Sequence, residues 1–435
     1  MKIFSFLFQQ RNATETSATS SAFWHELKKP DVYPMVFFCL AMIISFNSNE
    51  SVWQQNVQLA QSFLQGEAYL DNRSQTFGYF QFKGKTYPDN LVDTFEVNGK
   101  HYWHQSPLPA VVFVPFVWLF GPLPLQNIFS IFISVANVYL VFALARILGI
   151  ERPKDAFLVA LAFVFGSAFI EVAISPNVWQ FNQNAATFFT LFSFFEFFTK
   201  KRWGRIGAYS ALAAGLRLQL LPIFLFFAVE FFFQEKNQKR IRNFVSLLLP
   251  MILLILFFSW YNYIRTGSVS LMTGFVNNMV GLPDQLTALR DAYGSFSLHF
   301  VPQNIYYYFL KGFTPVTELN AGGANPFHVI SPYIYISRIS AASILILMPL
   351  VAFIRLNALK KPLVLRIFAT TFLILLPLLF HYYSQPRYAV DFMPLLLIPT
   401  LMSIHSPFTK TKEAVLIFFV LAHFWFFFLS FKMYY

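Results

Sequence analysis

Charged side chains are scarce in this chain: Asp, Glu, Lys and Arg make up 12% of its 435 residues, against 56% hydrophobic. So few charges cannot provide the polar exterior of a water-solvated fold, which excludes a protein that is soluble over most of its surface. Cysteine is scarcer still. The single Cys39 lies inside an apolar run, so disulfides within the chain are excluded and a thiolate metal site is untenable. Glycine-rich phosphate loops, zinc-ligand spacings and a nucleophile elbow are also missing, as is any internal repeat of the apolar segments. The opening segment has only a short apolar patch, broken by Gln9, Gln10 and Arg11 and followed by Ser and Thr. That pattern does not fit a cleaved signal peptide, and residues 1–30 are expected to form a cytoplasmic tail.

What the chain does have is apolar runs of roughly twenty residues, the length a helix needs to cross a hydrocarbon layer of about 30 Å. They fall at 33–46, 125–148, 156–174, 185–199, 206–216, 218–233, 244–263, 334–354, 363–383, 388–404 and 414–431. The expected fold is all-α and polytopic, with about eleven transmembrane helices in one domain over 31–435. The net charge of +12 could suggest nucleic acid, but its distribution does not. Every second connection is basic, and those connections with the tail hold 21 Lys and Arg, against 10 on the other side. By the positive-inside rule the basic side, and the N-terminus with it, is cytoplasmic. The lipid bilayer is the expected partner and nucleic acid is not.

Two connections are long, 47–124 and 265–333, and both fall on the extracytoplasmic side. Long loops in a compact membrane protein tend to be functional. In the first, VWQQNVQLAQSFL at 52–64 places apolar residues near the helical repeat and predicts an amphipathic helix on the membrane surface. The stretch 106–120 is apolar but short and broken by Pro107, Pro109 and Pro115, which predicts an interfacial or re-entrant helix.

Ionisable groups gather in the first loop: Glu50, Asp89, Asp93 and Glu96, then Lys100, His101, Tyr102 and His104. One reading is a carboxylate near the membrane that takes a proton from an acceptor hydroxyl or amine. The other is a solvated loop with a hairpin turn at Asn98-Gly99. Near the C-terminus, QPRYAVD puts Arg387 and Asp391 four residues apart, on one face of a helix. They could pair with each other, or Arg387 could grip a phosphate through two parallel hydrogen bonds. Arg265 invites the same two readings, with snorkelling to the interface as a third. Arg217, between two short apolar runs, would bind anionic lipid or mark a break, while Glu171 and Glu196 read as interfacial. The Phe-rich runs need only lipid contact and interhelical packing.

Taken in order, the acidic first loop, NGKHYWHQSPLP, VWQFNQNAATFFTLFSFFEFF, GLRLQLLP, WYNYIRTGS, GSFSLHFVPQNIYYYFL and QPRYAVDFMP resemble the bacterial GT-C type membrane glycosyltransferases. The superfamily includes protein O-mannosyltransferases and the aminoarabinose transferase of lipid A. The resemblance covers residues 33–394, and the order of the short motifs is its specific part. It implies a GT-C-like fold, in the bacterial cytoplasmic membrane, that takes a sugar from a polyprenyl-phosphate carrier. The acceptor would be an extracytoplasmic glycan, lipid or protein, and the sugar would be transferred with inversion. Carried over by position, the catalytic base is Asp93 or Glu50, with Asp93 preferred. Family members usually show an acidic pair where this chain has Asn49-Glu50. Arg387, then Arg265 and Lys100, would hold the lipid phosphate. Tyr102, His104, Tyr388 and Asp391 are candidate substrate contacts. Some members use a divalent metal, but the sequence shows no ligand cluster and none is assigned. The rival functions are a transporter or lipid flippase, a surface-polysaccharide polymerase or ligase, and an inactive scaffold.

Overall fold

The structure, a computed structural model, describes residues 39–44, 54–70, 79–82, 85–88, 91–236, 238–271, 280, 284–311, 329–330, 333–334 and 343–432. The expected tail (1–30), Glu50, and most of the first predicted helix lie outside the described residues. Of that helix, 39–44 are helical, with Cys39 and Ile43 buried.

The described chain is mostly helical. After the helical residues 39–44, α1 (Gln55–Leu64) precedes two hairpins, β1 (Tyr79–Phe82) with β2 (Lys85–Pro88) and β3 (Thr94–Val97) with β4 (Lys100–Trp103). Then come α2 (Leu108–Phe120), α3 (Leu125–Ile147), α4 (Pro153–Val164), α5 (Phe169–Ile174), α6 (Val178–Phe198), α7 (Trp203–Leu216), α8 (Leu221–Gln234) and α9 (Arg240–Thr266). The second long connection holds α10 (Asp284–Tyr293) and α11 (Val301–Ile305), and the chain continues through α12 (Ile344–Leu347), α13 (Pro362–Phe380), α14 (Met393–Leu401) and α15 (Lys410–Lys432). Among the described residues, α3, α9 and α13 are long and apolar enough to cross a membrane.

Most predicted runs reappear with their ends extended by polar residues. Three do not, each for a physical reason. The run 156–174 is broken after α4: Ser167 turns its hydroxyl onto the carbonyl of Phe163, and the Ala168 amide leaves the helix for Leu347 O at 2.7 Å. The run 334–354 begins in a short strand, Tyr333–Ile334, paired with Val329–Ile330, and later yields α12 and a 3-10 segment, Pro349–Phe353, where Pro349 has no amide hydrogen to continue the ladder. The segment 386–391 is a 3-10 turn rather than the start of a helix.

The basic connections meet at one end of the molecule. Lys154 Nζ lies 2.9 Å from Glu413, the Ser406 hydroxyl donates to Asp155 at 2.7 Å, and the Trp203 indole N–H donates to Glu235 at 2.6 Å. Arg202 pairs with Glu196, and Arg366 with Glu230, at this same end. Glu196, expected to be interfacial, is buried and paired with an arginine of the following connection.

At the opposite end, α1 departs from expectation. It is a helix, but Gln55, Asn56, Gln58 and Ser62 are buried with Val57, Leu59 and Ala60. Asn56 has partners on α3 and α6: its Nδ2 donates to Asn182 Oδ1 at 3.1 Å, and Gln126 Oε1 accepts from its backbone amide at 3.1 Å, whereas the Gln55 side-chain amide and Gln58 Oε1 are enclosed with no partner among the described residues. A side chain with such partners, as Asn56 has, need not turn to water. By contrast, α2 is about 20 Å long at 1.5 Å per residue, too short to span, and exposes Trp118, Leu119 and Phe120.

Candidate active site

The loop end gathers ionisable side chains from four elements. The first is the break between α7 and α8. Arg217 is extended there (φ −141°, ψ 98°), and a short 3-10 turn, Leu218–Leu220, precedes α8 with its early proline, Pro222. Freed from the helix, the guanidinium grips Asp391 with two hydrogen bonds, Nη2 at 2.8 Å and Nε at 3.3 Å. Gln219 donates to the same carboxylate, as does Gln183 from α6 at 3.3 Å. With four donors on two oxygens, Asp391 is an anchor that joins α6, the α7–α8 break and the 386–391 turn.

Arg387 and Asp391 therefore do not pair. In a 3-10 turn each residue advances by about 120°, so residues four apart point in different directions. Arg387 is buried and donates to two neutral amides, Gln385 and, at 3.2 Å, Gln183 Oε1. Its guanidinium also lies 5.2 Å from the Tyr388 ring centre. Among the described residues no carboxylate forms an ion pair with it, so its charge is held in place without being neutralised.

The third element is the β3–β4 hairpin, whose two-residue turn has positive φ at both Asn98 and Gly99, as a type I′ turn requires. The base of the hairpin pairs Thr94 with Trp103, which brings Asp93 beside His104. Asp93 has φ +58°, in the left-handed region. Its carbonyl accepts from His104 Nδ1 at 2.5 Å, and its amide donates to Val280 O at 2.9 Å. The half-buried Asp93 carboxyl is pushed up to about 6 by loss of hydration. The positive charge of Arg387 and a hydrogen bond from Trp179 oppose that rise. Burial holds the His104 imidazole down at about 4, helped by the nearby Arg265, Arg217 and Arg387, so the ring is neutral near pH 7. A carbonyl can only accept, so Nδ1 carries the ring proton.

The fourth element is the segment after α13, where Tyr382, Tyr383 and Tyr388 come within electrostatic range of Asp93. The second long connection fixes that segment. Asn304 Nδ2 donates to the carbonyls of Leu378, Leu379 and His381 at 3.2, 2.8 and 2.9 Å, capping the end of α13. The Ser384 hydroxyl in turn donates to Asn304 Oδ1 at 2.6 Å.

Of the residues singled out in the sequence, Asp93, His104, Arg217, Arg387, Tyr388 and Asp391 meet here. Arg265 stands one step away and is already occupied, donating to Trp103 O and Asn262 Oδ1 with its guanidinium 4.2 Å from the Tyr261 ring centre. Tyr102 stacks on Phe95 at 5.8 Å. Lys100 is at the exposed hairpin tip, three residue pairs from the base, which is about 10 Å at 3.3 Å per residue. Glu50 lies outside the described residues.

Sequence reasoning passed over several members of the cluster. Gln183 and Gln219 carried no individual signal, although WQFNQN is a dense polar run for a helix otherwise so apolar. Glu171, read as interfacial, is half-buried, accepts from Gln180 Nε2 at 3.2 Å, and lies within electrostatic range of Arg387. Among the described residues no three His, Cys, Asp or Glu side chains converge as a metal site would require. Comparison of the chain with family models, with curated proteins and with solved structures finds no match.

Proposed function

We propose that the chain is an inverting membrane glycosyltransferase that moves a sugar from a polyprenyl-phosphate carrier to an extracytoplasmic glycan, lipid or protein. In this reading it crosses a bacterial cytoplasmic membrane about eleven times, with its basic end and N-terminus in the cytoplasm. The observation that carries the reading is the position of Asp93 within electrostatic range of Arg387. A carboxyl poised near pH 6 lies within the field of a buried guanidinium with which no carboxylate among the described residues forms an ion pair. These are the two groups a single displacement from a phosphate-linked sugar needs, a base and a cation for the leaving group.

In the reaction, an acceptor oxygen attacks the anomeric carbon from the face opposite the lipid phosphate. The Asp93 carboxylate takes the acceptor proton as the new C–O bond forms. The bond from the anomeric carbon to the phosphate oxygen breaks, and polyprenyl phosphate leaves with both electrons, its added charge stabilised by Arg387. His104 holds the Asp93 backbone, and Arg217 with Asp391 fixes the 386–391 turn that carries Arg387. Glu50 is the alternative base. No divalent metal enters the scheme.

The test is sugar transfer from a radiolabelled polyprenyl-phosphate sugar pool in membranes with matched amounts of wild type and variants. Asp93→Asn should lower the rate by about 10² to 10⁴, the range for loss of a general base. Arg387→Ala should lower it by about 10² to 10³, as for loss of one oxyanion donor. If Asp93→Asn is fully active while Glu50→Gln is dead, the base is Glu50. Full activity of all three variants would sink the mechanism.

The interrupted α7–α8 helix supports a second reading, a lipid flippase, since transporters place discontinuous helices at their binding sites. A flippase liberates no free polyprenyl phosphate, whereas transfer liberates one per sugar moved. A polysaccharide polymerase or ligase would instead release its carrier only as a glycan chain is extended or handed on.

A further inference from the structure

Beside Arg387 stands a second carboxylate for which the mechanism has no use. Glu171 sits on α5, the short helix set off from α4 by the break after Val164, and is only half-buried. Its Oε1 accepts from Gln180, while Oε2 has no donor among the described residues. Gln180 lies three residues before Gln183 on α6, so the two amides share a face, one turned to Glu171 and the other to Arg387 and Asp391. Gln180 Oε1 is enclosed and likewise lacks a donor. Next to it, the half-buried Trp179 has its indole hydrogen-bonded to Asp93.

This group has a definite chemical preference. Its accessible acceptor is the half-buried Glu171 carboxylate, one oxygen of which has no donor among the described residues, so it favours a ligand rich in O–H groups. The Glu171 carboxylate repels an anion, so the lipid phosphate belongs at Arg387 and not here. A cation is disfavoured in turn by Arg387, whose field reaches Glu171. What remains is a neutral polyol, and the accessible part of the Trp179 ring offers an apolar surface of the kind that the C–H face of a pyranose covers.

We propose that Glu171, Gln180 and Trp179 form the subsite for the transferred sugar, a neutral polyhydroxylated ring held between the phosphate-binding Arg387 and the base Asp93. This assignment rests on the glycosyltransferase reading and adds the residues that choose the sugar. Glu171 accepts from two ring hydroxyls, Gln180 orients Glu171, and Trp179 covers one ring face while holding Asp93.

The test uses full-length protein in lipid nanodiscs and two classes of probe: undecaprenyl phosphate alone, and the same lipid phosphate carrying glucose, mannose or galactose. Competition binding should show wild type preferring one sugar-loaded form over the bare lipid. Glu171→Gln should reduce that preference about tenfold, the worth of a hydrogen bond to a charged group, and leave binding of the bare lipid unchanged. Gln180→Ala should reduce it in the same direction and carries the test should Glu171→Gln fail to fold. Arg387→Ala should weaken bare and loaded lipid alike. If both forms bind but Glu171→Gln and Gln180→Ala spare the sugar preference, or weaken the bare lipid equally, the subsite is wrong while the transferase reading stands. If wild type binds neither form, the transferase reading falls and takes the subsite with it.

Discussion

Asp93 holds a backbone conformation that few residues other than glycine adopt, at a cost of order 1 kcal/mol or more. The strain is sustained from both sides, by the His104 imidazole on its carbonyl and by Val280 on its amide. This fixes the direction in which the carboxyl leaves the hairpin. Because loss of hydration lifts that carboxyl to about 6, its base form is lost as the pH falls through 6, well above the usual aspartate range. The acid limb of kcat/KM should therefore have its midpoint near pH 6. Trp179→Phe removes a hydrogen bond that favours the charged carboxylate, so the midpoint should move to higher pH. An acid limb near pH 4 in both proteins would take Asp93 out of the proton-transfer step. The candidates for this chemistry were legible because a carboxylate and an imidazole flanking an Asn-Gly turn are a local pattern. The role of Arg217 was not. Its partner Asp391 lies 174 residues away, and sequence spacing carries no record of such a contact.

Among the helices, α7 and α9 approach closely along a strip of small residues, WGRIGAYSALAAG. A Cβ on Gly207 would lie 2.2 Å from Leu247 O, against backbone that cannot yield, and one on Gly204 would lie 3.3 Å from Ser246 Cβ. Small residues that let backbones approach are a common basis of helix association in membranes. Gly207→Leu should accordingly destabilise the protein by more than the roughly 1 to 3 kcal/mol typical of overpacking, because whole helices must separate. Thermal unfolding in detergent would show this as a lowered midpoint, whereas Gly99→Ala, in the hairpin turn, should leave α7 and α9 in contact. An unchanged midpoint for Gly207→Leu would mean that the two helices are free to part. Apolar runs in the sequence located nearly every helix, since a helix in lipid must be apolar along its length. Arg217, between two short runs, was a candidate break and the helix does break there, but the runs gave no sign of the break after Val164, where the Ala168 amide turns to a carbonyl on a distant segment. For the same reason α1 looked like a surface helix. Its helical repeat was visible, but the amides of α3 and α6 that receive Asn56 lie about 70 and 126 residues away.

On the scale of the whole molecule, polar groups divide between two ends. The basic connections meet at one, with Lys154, Arg202 and Arg366 each paired to a carboxylate there. The β3–β4 hairpin, the 386–391 turn and the helices of the second long connection meet at the other. If the basic end is cytoplasmic, the hairpin tip projects outside and the connection before α15 lies inside. Cysteine labelling tests this directly, because the chain has only Cys39 to remove. In a Cys39→Ser background, Lys100→Cys should react with a membrane-impermeant maleimide in right-side-out vesicles, and Lys410→Cys only after the membrane is opened. Both side chains are exposed, so a difference between them reports sidedness rather than burial. The reverse pattern would turn the molecule over and place the Asp93 cluster in the cytoplasm. A sugar donor would then have to be reached from that side, and a transferase acting on extracytoplasmic acceptors would no longer be tenable.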